Sequence, residues 1–344
     1  MLLQNFRPRA RLVTPETQIR GPRFPVIDAH NHLAAPFGGG WDDRPVEEVL
    51  DRLDEAGVSQ YVDLDGGWGE EILERHLDRF KSRAPERFHV FGGVAWDKWP
   101  EMGAGFPEWA ASRLRAQKEH GAEGLKIWKR FGLQVRDRQR QLVKVDDARL
   151  DVLWEVAAEL QLPVMIHVGD PMAFFDPIDE RNERWEELQQ HPDWSFPSPP
   201  FPPFMEIMRG LLNLVKGHPR TRFIGAHVGC CAEDLQWVSG MLDACPNYYI
   251  DISARLGELG RQPYRARKFC IRYSDRILFG LDGGPEPDDY RLSYRILETD
   301  DEYFNYSTGE IPLQGRWYVH GLHLPDEVLK RIYSDNAGLV LGIG

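Results

Sequence analysis

Short apolar segments alternate with amphipathic helical segments along most of the chain. The first apolar segment is VIDAHNHL at 26–33, and VEEVLDRLDEA at 46–56 follows it with apolar residues at helical spacing before Gly57. The strands predicted from this pattern are 26–33, 58–64, 87–95, 122–128, 163–169, 221–229, 247–253 and 276–283. The predicted helices are 46–56, a segment around 73–77, 107–120, 147–160, 203–217, 232–244 and 261–273.

Eight strands that alternate with helices predict an α/β fold of the (β/α)8 barrel type. A doubly wound open sheet would show the same alternation. The number of strands favours the barrel, and so does the lack of a Gly-x-Gly-x-x-Gly turn after the first strand.

The pattern predicts a single barrel domain over residues 24–344, preceded by an extended arm over 1–23 that lies on the domain or on a neighbouring subunit. Two connections, 170–203 and 283–323, are long and rich in proline or aromatic residues. Both follow the carboxyl ends of strands, where barrel active sites form, so we expect them to wall a pocket. The alternative is that they are decorations or subunit contacts.

Composition narrows the classes of partner. The chain has 344 residues, 42 Lys plus Arg against 54 Asp plus Glu and a net charge of -12, which argues against nucleic acid or an anionic membrane as the main partner. The four cysteines do not form a disulfide framework, and we find neither a signal peptide nor a membrane-length apolar run. We therefore expect a cytoplasmic protein with a small-molecule substrate.

Two histidines end the first strand two positions apart. Because side chains on a strand repeat every two residues, His30 and His32 project from the same face with Cα atoms ~6.6 Å apart and can reach one metal ion. A hydrogen-bonded polar strand edge would give the same triplet.

Polar residues also end the later strands, and in a barrel those ends meet at one mouth. They are Lys126, His167, His227, Asp251 and Asp282. Separately satisfied core groups would each need a buried partner, whereas a metal centre explains the grouping. We expect His30, His32, His167 and Asp282 to bind one divalent ion, with Zn²⁺ favoured and Mn²⁺, Fe²⁺ or Co²⁺ also suited to these ligands.

Three of these residues carry further expectations. Asp282 can also accept a proton from water, and His227 is either a ligand of a second metal or a general acid. Asp251 is expected to hold a nearby Lys or His in position.

Lys126 has three alternative roles. Carboxylated by CO₂, it would bridge two metal ions; as a cation, it would bind a substrate carboxylate together with Arg255; or it would pair with Asp251 or Asp63. Trp128 lies two positions further and faces the same side, as an aromatic wall for a planar substrate or as plain packing.

The motifs DAHNH, GLKIW, VMIHVG, IGAHVG and LFGLDG, in this order, resemble the amidohydrolase superfamily and, within it, the amidohydrolase-2 branch of hydrolases and decarboxylases. The resemblance covers about residues 24–344. It implies a distorted barrel, a divalent metal held by His30, His32, His167 and Asp282, His227 as the strand-six histidine, and a homodimer or higher homo-oligomer. Phe131 departs from the His-Pro often found after the strand-four lysine.

The function expected is hydrolysis of a C–O or C–N bond in a lactone, ester or amide that bears a carboxylate, by metal-activated water. The alternative is non-oxidative decarboxylation of an aromatic or muconate-type acid, which needs the same ligands. A binding barrel without chemistry is a third class, and the presence of every ligand position argues against it.

Overall fold

A computed structural model describes residues 10–307, 309–312 and 314–343. Its eight strands lie side by side in sequence order, and each pairs with the next in parallel. The strands are β1 Val26–Asn31, β2 Val58–Asp63, β3 Phe88–Gly92, β4 Gly124–Ile127, β5 Val164–Ile166, β6 Phe223–Gly225, β7 Tyr248–Asp251 and β8 Ile277–Leu278. Backbone hydrogen bonds from Ala29 to Phe279 and from Asp282 to His30, both 2.9 Å, join the two ends of the sheet. The predicted (β/α)8 barrel is therefore confirmed in a nearly closed form.

Eight main helices follow the strands in turn. They are α1 Val46–Ala56, α2 Glu70–His76, α3 Phe106–Glu119, α4 Asp151–Glu159, α5 Phe204–Gly217, α6 Leu235–Ala244, α7 Pro263–Arg272 and α8 Pro287–Glu298. Shorter helices are Ala35–Gly38, Trp99–Met102, Arg130–Leu133, Trp185–Gln190, Leu256–Gly260, Asp326–Lys330 and Asn336–Leu341. The bounds of α1 match the prediction because Gly57, at φ 76°, ends the helix with its N–H on Asp54 O.

The hydrophobic core lies between the sheet and these helices. In α5, for example, Ile207, Leu211 and Leu214 recur at helical spacing and are all buried. Every residue of β3 to β6 is buried, as expected for strands covered on both faces. The polar strand ends are thus carried by a rigid apolar frame.

The structure differs from the sequence prediction in the connection 283–323, which contains α8. Tyr290, Tyr294 and Leu297 lie buried on one face of this helix, and Asp288 and Asp289 occupy its first turn. These two tyrosines therefore pack against the barrel, whereas Gln314, further along the connection, lines the cavity over the strand ends as predicted. The connection 170–203 is mostly irregular, with a single short α-helix at Trp185–Gln190.

Residues 10–23 of the predicted arm form neither helix nor strand. Thr17 binds the Asp301 carboxylate through its backbone N–H at 2.8 Å and its hydroxyl at 2.7 Å, and the backbone N–H of Arg23 donates to Glu298 at 3.1 Å. This part of the arm is fastened to its own barrel, and residues 1–9 lie outside the described residues. Among the helices described, none is long and apolar enough to span a membrane.

Candidate metal centre and substrate pocket

Two histidines at the end of β1, His30 within the strand and His32 just after it, are held by carboxylates at the ends of β7 and β2. The Nδ1 atom of His30 lies 2.8 Å from Asp251 Oδ2, and the Nδ1 atom of His32 lies 2.8 Å from Asp65 Oδ1. An ionised carboxylate only accepts, so each Nδ1 carries a proton and each Nε2 is the nitrogen left to bind a metal. Asp251 therefore holds a histidine, as its position at the end of β7 suggested.

Asp282 brings a carboxylate to these two rings. Its Oδ1 atom lies 3.1 Å from His32 Nε2 and 3.5 Å from His30 Nε2, and its Oδ2 atom lies 3.7 Å from His227 Nε2. One ligand atom from each of His30, His32 and Asp282 fits within 4.8 Å of the others. Burial raises the pKa of Asp282, but the neighbouring histidines outweigh burial and hold that pKa well below its usual range.

The pKa of His32 shifts upward, in the opposite direction to the pKa of Asp282. Burial lowers its pKa, while Asp282 and Asp65 more than compensate and raise the pKa to about 9. A metal ion at this position would therefore displace a proton from His32.

His167, after β5, is buried; its Nε2 lies 3.4 Å from Asp170 Oδ1, and its Nδ1 has no hydrogen-bond partner among the described residues. Burial lowers the pKa of His167 to about 4, so the ring is neutral and its Nδ1 is unused. Such a buried ring fits a metal ligand. It packs edge-on against His227 at 4.5 Å between ring centroids and lies outside the compact group of His30, His32 and Asp282. Its place in the ligand set stays a prediction.

His227 sits on a left-handed turn that ends β6 early. His227, Val228 and Cys230 have φ of 59°, 57° and 61°, a conformation that non-glycine residues rarely adopt. A Cβ atom on Gly225 would lie 1.9 Å from Tyr248 Oη, so only glycine fits where the chain turns. The predicted strand 221–229 was therefore too long. The turn brings the His227 N–H to Asp251 Oδ1 at 3.0 Å.

Lys126 is buried beside the metal ligands. Its Nζ atom lies 3.2 Å from His30 Nε2 and 4.6 Å from the centre of the Trp128 ring. Burial lowers the pKa of Lys126 to about 8. Among the ion pairs of the described residues, Lys126 has none with Asp251 or Asp63 within 4.0 Å, which removes the structural alternative. The bridging and substrate-binding roles both remain.

A cavity of about 530 Å³ opens over Asp282, His167 and His227. One wall is a stack of aromatic rings, with Trp68 and Trp128 centred 4.0 Å apart. Phe37 lies parallel to Trp68 at 5.7 Å, and Phe174, Trp194 and Phe196 of the connection 170–203 also line the cavity. Trp128 thus faces the mouth as predicted, and the cavity has a flat apolar wall suited to a planar ligand.

Arg255 differs from two other cations of this cavity, Lys129 and Arg184. Lys129 pairs with Asp170, and Arg184 pairs with Glu187 and Glu258. The buried Arg255 side chain donates to the backbone oxygen of Ala254 at 2.8 Å, and no carboxylate of the described residues lies within ion-pair distance of it. A buried cation without a counter-ion favours an anionic ligand.

Sequence reasoning missed Asp65 and Ser253. The Ser253 hydroxyl lies 3.0 Å from the Nδ1 atoms of both His30 and His227 and donates to Asp251 at 2.5 Å. The available signal for Asp65 is its position two residues after Asp63, just beyond the end of β2. Sequence reasoning considered only Asp63, as an ion-pair partner for Lys126. Nothing in the sequence marked Ser253.

The family model described as Amidohydrolase, Amidohydro_2, matches residues 20–343, and the chain belongs to this family. The resemblance read from the five motifs is confirmed. A search of curated protein sequences gives no significant match.

Solved structures share the fold. 2,6-Dihydroxybenzoate decarboxylase from Rhizobium has a TM-score of 0.57 and 16% identity, with 93% of this chain and 99% of that chain covered. A probable 2-pyrone-4,6-dicarboxylic acid hydrolase from Acinetobacter baumannii, with citric acid bound, has a TM-score of 0.54 and 12% identity, covering 93% and 100%. 5-Carboxyvanillate decarboxylase from Novosphingobium aromaticivorans, complexed with manganese, has a TM-score of 0.52 and 15% identity, covering 85% and 79%. At these identities the similarity shows the fold alone.

Proposed function

We propose that this protein is a metal-dependent hydrolase that cleaves a C–O or C–N bond in a small, planar substrate bearing a carboxylate. The observation that carries the proposal is the orientation of Asp282. One oxygen of its carboxylate faces His30 and His32, while the other faces His227 and the cavity. A carboxylate placed between metal ligands and substrate is suited to take a proton from attacking water.

His30, His32, His167 and Asp282 would hold a single divalent ion, for which we propose Zn²⁺. Their fit rests on the Nδ1 contacts that turn the Nε2 atoms of His30 and His32 toward Asp282, and on the buried, neutral ring of His167, whose Nδ1 has no hydrogen-bond partner among the described residues. When bound, the ion supplies Lewis acidity toward water and the scissile carbonyl. A second ion would require carboxylation of Lys126.

Other steps of the reaction, which are proton transfer and substrate binding, fall to side chains of the protein. Asp282 accepts the proton of the attacking water and returns it to the leaving group. His227 donates its Nδ1–H to the backbone oxygen of Ser253 at 3.0 Å, and burial holds its pKa well below the usual range, so Nε2 carries the lone pair and would accept a proton or a hydrogen bond from the substrate or the attacking water. The aromatic stack of Phe37, Trp68 and Trp128 orients the ring, and Arg255 binds the substrate carboxylate.

Decarboxylation of an aromatic acid is the second candidate, and the flat aromatic wall of the cavity favours it. Two of the solved relatives carry the names of aromatic-acid decarboxylases. In this reaction Asp282 or His227 would first take a proton from water or from a substrate hydroxyl and then deliver it to the ring carbon, whose bond to the carboxylate breaks as CO₂ leaves.

The test is an assay of zinc-loaded and manganese-loaded protein with two substrate sets, pyrone dicarboxylates for ring opening and hydroxybenzoates for CO₂ release. We expect ring opening that is lost in Asp282→Asn and kept in Arg265→Gln, a change of an exposed arginine outside the cavity. Release of CO₂ without ring opening would transfer the assignment to the decarboxylase. Inactivity of the metal-loaded protein on both sets would contradict both candidates for these substrates.

A further inference from the structure

Behind His32, away from the cavity, lies a buried network of Asp42, Asp63, Asp65 and His76. His76 belongs to α2 and is fully buried. Its Nδ1 atom lies 2.5 Å from Asp63 Oδ2 and its Nε2 atom 3.3 Å from Asp42 Oδ2, which Arg75 also contacts. Both ring nitrogens thus face carboxylates, so the ring donates on both sides.

The network continues without a break to the candidate metal ligand. Asp63 Oδ1 accepts the backbone N–H of Asp65 at 3.0 Å. Asp65 Oδ1 lies 2.8 Å from His32 Nδ1, and its Oδ2 accepts the N–H groups of Leu33 and Ala34, both at 2.7 Å. Two carboxylates and one short backbone segment therefore connect His76 to His32.

We propose that His76 is a positioning residue for the metal centre. By holding Asp63, it fixes the backbone at 63–65 and so the Asp65 carboxylate, which keeps the His32 ring turned with Nε2 toward Asp282. His76 lines none of the cavities described above and touches neither Asp282 nor His30, so its effect passes through Asp63 and Asp65. The inference rests on the metal site of the proposed function.

The physical reason is the cost of an unpaired buried carboxylate. Without the Nδ1–H donor, Asp63 Oδ2 would face an apolar interior, and the carboxylate would rotate or admit water. Either response withdraws the acceptor of the Asp65 N–H and loosens the carboxylate that holds His32. Residues that hold a metal ligand in position change the affinity of the protein for the metal without contacting the ion.

The test compares variants that keep different donors. In His76→Asn, the amide nitrogen replaces Nδ1 and can still bind Asp63; in His76→Gln, it replaces Nε2 and reaches Asp42 instead; His76→Leu keeps neither. His89→Leu is the matched control, because His89 is also a buried histidine that contacts polar side chains, Glu123 and Gln60 at 2.9 Å and Lys81 at 3.5 Å, and lies outside the network.

Zn²⁺ affinity of the metal-free protein is measured by competition with a chromophoric chelator. We expect His76→Leu and His76→Gln to weaken binding by about 10–100-fold, as for loss of an outer-shell partner, with His76→Asn close to wild type. His89→Leu should lower the unfolding temperature without changing the affinity. Wild-type affinity in His76→Gln would overturn the proposal, and this variant decides the matter if His76→Leu does not fold.

A second readout does not need the metal. In ¹⁵N spectra of histidine rings in the metal-free protein, the His32 Nδ1–H signal should be preserved in His76→Asn and broadened or lost in His76→Gln. If wild-type protein binds no Zn²⁺, the proposed function fails, while an unchanged His32 signal in His76→Gln would independently refute the role of His76.

Discussion

At the scale of single residues, the candidate site depends on which nitrogen of each histidine carries a proton. Asp65 and Asp282 raise the pKa of His32 to about 9, so in metal-free protein near neutral pH the ring holds a proton that a metal must displace. Zn²⁺ affinity should therefore rise with pH and level off near pH 9.

This prediction is checked by chelator competition from pH 6.5 to 9.5. We expect a slope of about one proton per ion over the rising part, since each ligand must be deprotonated to bind. In Asp65→Asn, one of the two charges that raise the His32 pKa is gone, so the plateau should begin at lower pH. Affinity independent of pH in the wild type would contradict the pKa of His32.

Arg255 carries a second prediction at this scale. Because Arg255 is a buried cation of the cavity with no carboxylate within ion-pair distance among the described residues, its replacement in Arg255→Gln should weaken substrate binding more than chemistry. We expect KM to rise by about 10–100-fold, as for loss of a charge-assisted hydrogen bond of ~1.5–3 kcal/mol, with kcat changed much less. Arg265→Gln, on the surface, should change neither constant. If Arg255→Gln instead lowers kcat and kcat/KM by the same factor, Arg255 binds the transition state and not the bound substrate.

At the scale of elements, strand ends were predictable and the turns between them were not. His30 and His32 follow from the period of two on β1, and the meeting of His167, His227 and Asp282 follows from the geometry of parallel strands. The left-handed turn at His227 depends on Tyr248 packing against Gly225, a contact between strands that no local pattern encodes. The Asp65–His32 contact joins β1 to the end of β2 and was equally hidden.

The contacts of helix α8 with β1 were also not predictable from the local sequence, and they give a third prediction. The Tyr290 hydroxyl donates to Asp28 Oδ2 at 2.6 Å and accepts from Asn31 Nδ2 at 2.8 Å, so the helix is bonded to β1 directly behind the histidines. Tyr290→Phe should lower the free energy of unfolding by about 1–3 kcal/mol, the cost of leaving buried polar groups unpaired. Denaturant unfolding measures the change, with Tyr264→Phe, exposed on α7, as the neutral control.

The pH dependence of that loss has a definite sign. Burial raises the pKa of Asp28 to about 7, and the Tyr290 hydroxyl opposes this shift by stabilising the ionised carboxylate. The folded-state pKa of Asp28 should therefore rise further in Tyr290→Phe. The variant should lose more stability at pH 8.5, where Asp28 is ionised in the wild type, than at pH 5.5. An equal loss at both values would mean that the hydroxyl acts through packing alone.

At the scale of the whole molecule, the proposed ion joins elements that are far apart in the sequence. His30 lies on β1 and His32 directly follows it, His167 follows β5, and Asp282 follows β8 next to the hydrogen bonds that close the barrel. A ligand that binds only the folded chain stabilises it by about 2.7 kcal/mol at one hundred times its dissociation constant. Chelation should therefore lower the unfolding temperature by several degrees, and restoring Zn²⁺ should recover it.

The change in unfolding temperature that Zn²⁺ produces, compared within each variant, shows whether the ion binds at His30 and His32 or at another group of possible ligands. His30→Ala and His32→Ala change the stability of the metal-free protein, so the quantity to compare is the shift that Zn²⁺ produces in each. We expect a shift in wild type and Lys126→Met but none in the two histidine variants, because a single ion needs His30 and His32 and does not need Lys126. A shift that persists in His30→Ala would place the ion elsewhere, and Asp63, Asp65 and His76 are the group to examine next. Their ligand atoms are already bonded to one another or to His32, Asp42 and the backbone, which is why we expect the ion at the mouth of the barrel.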